Sequence, residues 1–162
     1  MMNEGWLSAL AGKSATAVEL ITSGIAVFRS TSSTNWLPLR LSHLAMAHAE
    51  INQTDDARRC LDEAMSAMEA TKETWCEAEV HRIAGEAVRL SPNPDAAEAY
   101  FERALAVARQ QQAKSWELRA AMSMARLWRD QGKREEAREL LAPVYGWFCC
   151  SPRTTGHGQG LP

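Results

Sequence analysis

The chain is short of most features by which a sequence declares chemistry. Its 162 residues contain no apolar run near the roughly 18 needed to cross a bilayer. The opening, MMNEGWLSALAGK, has no basic stretch leading into an apolar core, so it does not read as a secretory signal. There is no glycine-rich phosphate loop and no pair of aspartates for a cyclase metal site, so nucleotide chemistry has no motif to rest on. Cys60, Cys76, Cys149 and Cys150 lack the spacing of a zinc knuckle, and nothing supports a disulfide framework. The net charge of −2 gives no bulk attraction to nucleic acid or to a membrane. His43 and His48 are five residues apart, which does not stack them on one helical face as metal ligands. No local Ser/His/Asp or Cys/His arrangement suggests a nucleophile. These absences point to a cytoplasmic protein that is not an enzyme and has no metal or cofactor.

What the chain does have is repetition. Hydrophobic residues make up 46% and charged residues 23%, a globular composition. Four segments carry a small residue, a large apolar residue four later and a small or β-branched residue seven later. They are Ala17/Ile21/Gly24, Ala57/Leu61/Ala64, Ala97/Phe101/Ala104 and Ala137/Leu141/Val144, each starting 40 residues after the last. A second set interleaves with it: Trp36, Trp75 and Trp116 stand eight residues before Leu44, Ile83 and Met124, each followed by an alanine. Apolar residues at intervals of three, four and seven lie on one helical face, so each repeat is a pair of helices. A small residue where two helices cross lets the backbones approach, and stacked pairs bury a continuous core that one pair cannot.

Helices are predicted near 14–30, 35–51, 54–71, 74–90, 94–113, 115–131 and 134–147. Thr74 and Glu77 form a capping-box pattern, Asn93–Pro94 a helix start and Gly132 a left-handed C-terminal cap. Cys60 reads as a small buried thiol within an alanine-rich helix. Pro143 should bend the last helix by blocking the bond to Glu139.

This pattern resembles the tetratricopeptide repeat, in which a large apolar residue and Gly/Ala are followed by Ala-x3-Phe in the second helix. The segment AAEAYFERAL (96–105) supplies Ala97, Phe101 and Ala104, and MARLW supplies Met124, Ala125 and Trp128. The resemblance covers residues 1–148 and implies an all-α, right-handed superhelix of about seven antiparallel helices. Repeat units fall near 1–34, 35–73, 74–114 and 115–148. The period is 40 rather than the usual ~34. Long repeats of this kind, and residues 110–148 in particular, resemble the C-terminal repeats of bacterial predicted ATPase and adenylate/guanylate cyclase-type signalling regulators. The resemblance implies an interaction module of such a regulator, without its catalytic parts. The expectation for residues 1–12 is a partial first helix. For residues 149–162, with their Gly, Pro, Ser and Thr, it is a disordered tail that is not the native continuation.

The inner surface of such an array is lined by the first helix of each pair. Its predicted residues are Leu39, Ser42, Met46, Ala49 and Glu50, then Ala78, His81, Gly85, Val88 and Arg89, then Arg119, Met122, Arg126, Arg129 and Asp130. The candidate groove residues are Met46, Glu50, His81, Arg89, Arg119, Met122, Arg126 and Arg129. Arginine with methionine between could take a carboxylate or phosphate beside apolar side chains. The competing reading is a solvated face whose arginines pair with Glu and Asp along the same helix. The partner is expected to be a protein or peptide, or the parent's own ATPase domain; the alternative is a small anionic effector held near Arg89, Arg119 and Arg126. Trp36, Trp75, Trp116 and Trp128 read as packing, whereas Tyr145, Trp147 and Phe148 form a candidate patch for self-association.

Overall fold

A computed structural model describes residues 14–30, 36–72 and 74–150. They form seven α-helices: α1 (Ser14–Ser30), α2 (Leu37–Glu50), α3 (Thr54–Thr71), α4 (Glu77–Arg89), α5 (Ala97–Gln110), α6 (Lys114–Asp130) and α7 (Arg134–Cys150). A 3-10 turn at Pro94–Ala96 precedes α5, and no strand occurs among the described residues. The fold is all-α and repetitive, as the spacing predicts. The predicted ends differ from the observed ones by a few residues, and α7 continues through Cys150, past the predicted end of the array at 148. The expectations for residues 1–12 and 151–162 lie outside the described residues.

Three turns share one geometry. The amides of Gln53, Ala113 and Lys133 donate to the carbonyls of His48, Ala108 and Trp128, each five residues back, at 2.8–2.9 Å. The residue before each donor, Asn52, Gln112 or Gly132, is left-handed, with φ of 60°, 54° and 86°. This is the Schellman closure, which satisfies carbonyls that the helix end leaves without partners. Gly132 is thus the cap its sequence context predicts. The Thr74/Glu77 capping box does not form: Glu77 donates its amide to the Thr74 carbonyl at 3.1 Å, and no side chain caps α4. Arg103 of α5, 3.0 Å away, holds the Glu77 carboxylate instead. Pro143 lies within α7, and the helix continues through it.

Helices α2/α3, α4/α5 and α6/α7 form the pairs, and α2, α4 and α6 also pack on one another in sequence. Small residues sit at the crossings. Ala45, Ala84, Ala104, Ala120 and Ala121 are fully buried, and the Phe101 ring fills the space beside Gly85. Phe101, Leu105, Met124 and Leu127 belong to one cluster that joins α5 to α6 and extends to Val144 of α7. Full burial of each large side chain stabilises by about 1.5–3 kcal/mol. Trp128 packs against this cluster, and its indole Nε1 donates to Glu98 of α5 at 2.7 Å. Trp116 packs against Ala78, Val107 and Ala108. Trp36 and Trp75 are both exposed, and they pack edge to face with centroids 4.4 Å apart. Cys60 is half-buried, and burial pushes its thiol up to about 11.

Candidate functional site

The polar centre of the molecule lies where the first helices meet. Along α4, Glu79, Arg82 and Glu86 recur at helical spacing, so they project on one side. That side faces α6. Arg119 reaches Glu79 at 2.6 Å, the Ser123 hydroxyl donates to Glu86 at 2.8 Å, and Arg126 comes within 3.5 Å of Glu86. Arg82 lies between the two carboxylates and makes a bidentate contact with Glu79, both bonds 2.9 Å. It also stands 3.7 Å from Glu86 and 3.4 Å from the Ser123 hydroxyl. Arg89 completes the row at 3.2 Å from Glu86.

Burial sorts these groups by role. The Glu79 side chain is 2% exposed, whereas Arg119 and Arg126 are 47% and 51% exposed. A buried carboxylate is stable only when paired, and bidentate Arg82 contributes most of that pairing for Glu79. Arg119 and Arg126 therefore hang their guanidiniums from an anchored row and keep donors turned to solvent. Four guanidiniums, Arg82, Arg89, Arg119 and Arg126, stand against two carboxylates. His43 of α2 borders the row. Burial holds it below the usual histidine range; Arg82 and Arg119 act in the same direction, and Glu79 and a bond with Leu39 oppose it.

The eight candidate groove residues do not form one surface. Arg89, Arg119 and Arg126 join the row just described. Glu50 is exposed at the end of α2 and accepts the Ser14 hydroxyl of α1. Met46 is half-buried and packs on the cluster that joins Ala45 and Ala49 of α2 to Leu61 of α3 and Ala84 of α4. His81 faces Tyr100 of α5, with ring centroids 6.4 Å apart, and its Nδ1 is buried with no hydrogen-bond partner. Met122 and Arg129 line, together with Arg126, a trough between α6 and α7. Of the other residues expected inside, Ala78 packs on α5 and Trp116, Gly85 abuts Phe101, and Ser42 is fully buried. In α4 the predicted face is therefore turned by about one residue. Its small side chains mark crossings with neighbouring helices rather than a solvent groove.

Glu79, Arg82, Glu86 and Ser123 were missed as functional candidates. The signal was available: carboxylates at 79 and 86 bracket an arginine, and 40 residues later Arg119 and Arg126 stand seven apart in the same way, with Ser123 between them. The pairing along a single helix that the competing reading expects occurs for Arg82, Arg89 and Arg129, but Arg119 and Arg126 take their carboxylates from α4.

The trough between α6 and α7 has a volume of about 690 Å³. No group of three or more His, Cys, Asp or Glu residues is placed to hold a metal ion among the described residues. No described helix is long and apolar enough to cross a membrane.

A family model of the tetratricopeptide repeat matches residues 118–145, which span most of α6 and the first part of α7. No curated protein and no solved structure matches the chain. With six of the seven described helices in three stacked pairs, the match supports a tetratricopeptide-like helical repeat fold, a type that generally binds proteins or peptides.

Proposed function

We propose that the chain is a non-catalytic scaffold that binds a partner protein, gripping an extended acidic segment across the first helices α2, α4 and α6. The observation that carries this reading is the row of exposed guanidiniums anchored on buried Glu79 and Glu86. Anchoring restricts the arginine rotamers before a ligand arrives, which lowers the ordering cost of binding. Planar guanidiniums then offer bidentate donors to incoming carboxylates. The test is titration of a labelled peptide of about ten residues rich in Asp and Glu, read by fluorescence anisotropy. Replacing Arg89 and Arg119 together by alanine should weaken binding by on the order of tenfold. Unchanged affinity in that variant sinks the reading.

A second reading, a sensor for a small anionic effector, is favoured by the excess of guanidiniums over carboxylates in the same row. A thermal shift with a small anion that Arg126→Ala abolishes would select it over the scaffold. For the parent assembly we propose a cytoplasmic bacterial signalling ATPase or cyclase-type regulator. The 40-residue period and the likeness of residues 110–148 to such proteins support that choice. Co-purification of the chain with an ATPase or cyclase domain tests it. Tyr145, Trp147 and Phe148, at 63%, 49% and 40% exposed, are the proposed surface for self-association.

A further inference from the structure

The trough between α6 and α7 has a counterpart inside the same molecule. Its apolar residues Ala125, Ala137, Leu141 and Tyr145 correspond, one repeat later, to Ala84, Ala97, Phe101 and Leu105. In that earlier repeat the space beside α4 and α5 is filled. Helix α6 lies there, with Ala120, Ala121, Met124, Leu127 and Trp128 against Ala97, Phe101, Ala104 and Leu105. At the α6/α7 position no described helix takes that place, and Met122 and Tyr145 are 44% and 63% exposed. The molecule therefore contains its own example of what fits: a helix with small residues at the crossing and larger ones flanking them.

The rims differ in charge. Arg126, Arg129, Arg134 and Arg138 border the open trough. The matching positions around the filled one are Gly85, Val88, Pro94 and Glu98, with no cation among them. Arg134 and Arg138 make no ion pair among the described residues, and Arg129 is paired only with its exposed neighbour Asp130. A further helix resembling α6 would satisfy the floor but leave Arg134 and Arg138 without complements, since Arg126 and Arg129 already have Glu86 and Asp130. An occupant that satisfies both carries carboxylates along its edges.

We propose that this trough docks an acidic amphipathic helix from a partner protein, a surface that shares only Arg126 with the row on α4 and α6. A second copy of the chain is a poor occupant through its first described helix, because Glu19 is the sole carboxylate of α1. Residues 151–162 contain no Asp or Glu and offer no complement either.

The test uses the full chain and two labelled synthetic helices of about 17 residues. Both copy the apolar pattern of α6; one bears glutamates at its flanking positions and the other lysines. The glutamate helix should bind at least about tenfold more tightly than the lysine helix, and the difference should shrink as salt is raised. In the double variant Arg134→Glu, Arg138→Glu the preference should invert, with circular dichroism confirming that this exposed pair leaves the fold intact. Equal binding of the two helices, binding of neither, or an unchanged preference in the variant overturns the proposal. Self-association in sedimentation that the glutamate helix displaces also overturns it, by giving the trough to a second copy. Arg126 borders both surfaces and is left unaltered. The Arg89→Ala, Arg119→Ala variant should bind the glutamate helix as the unaltered chain does, so failure of the trough and failure of the first-helix surface are separable.

Discussion

The Phe101 ring lies against the bare backbone of Gly85: a Cβ built on Gly85 would stand 2.5 Å from Cε1 and 2.7 Å from Cδ1. Phe101 is fully buried within the α5/α6 cluster, so the ring has no free direction in which to yield. Overpacking costs about 1–3 kcal/mol, against the roughly 1 kcal/mol that alanine contributes over glycine in a helix. Gly85→Ala should therefore lower stability by about 1 kcal/mol in urea denaturation, whereas at an open helical site the same change would raise it.

Glu79 and Arg119 form a pair whose members should be unequal under substitution. Glu79→Ala leaves Arg82, only 15% exposed, with Glu86 at 3.7 Å as its remaining carboxylate. Breaking a buried pair from one side costs about 3 kcal/mol. Arg119→Ala removes a half-exposed cation while Glu79 keeps Arg82, so the expected loss is below about 1 kcal/mol. Denaturant midpoints of the two variants decide the matter; equal losses would contradict the assignment of Arg82 as the principal partner.

Two histidines tie stability to pH. Burial is the first cause lowering both His43 and His81; Arg103 acts with it at His81, and Glu77 opposes it. A histidine with a depressed folded-state value stabilises the fold fully above its unfolded value of about 6.5, and that contribution is lost as the pH falls further. Denaturation midpoints should decline from about pH 7.5 to 5.5, and His43→Gln should flatten the decline. A midpoint constant across that window would show that neither histidine is held neutral.

Cys60 should be slow toward thiol reagents. Its value of about 11, against 9.0 for an unperturbed thiol, leaves about a hundredfold less thiolate near pH 8. In a Cys76→Ala, Cys149→Ser, Cys150→Ser background, labelling of the folded chain should lag that of the urea-unfolded chain by about that factor. Equal rates would place Cys60 in contact with bulk water.

Much of the fold was legible because the alanines at 17, 57, 97 and 137 report packing that recurs, and recurrence filters out local accident. Phe101 lies in the core for the same reason. The surface facing α6 was harder to read. Ala78 and Gly85 belong to the same helix as Glu79 and Glu86, and a rotation of one residue exchanges a crossing for a polar row. That rotation depends on how α5 and α6 seat against α4, which is tertiary information. The failed cap at Thr74 has the same origin, since Arg103 comes from another helix. The trough between α6 and α7 had a trace in sequence, Arg134 and Arg138 flanking Ala137, but its meaning required seeing what fills the equivalent space one repeat earlier.

Helix α4 is packed on both sides along the stack, whereas α7 packs chiefly on α6. In a quasi-one-dimensional array each unit draws its stability from adjoining units. The backbone should therefore open in a graded order: amides of the outer helices α1 and α7 exchange with solvent before those of α4 and α5. Among the described residues α7 is an outer unit, and whatever occupies its trough sets how far opening penetrates toward the middle.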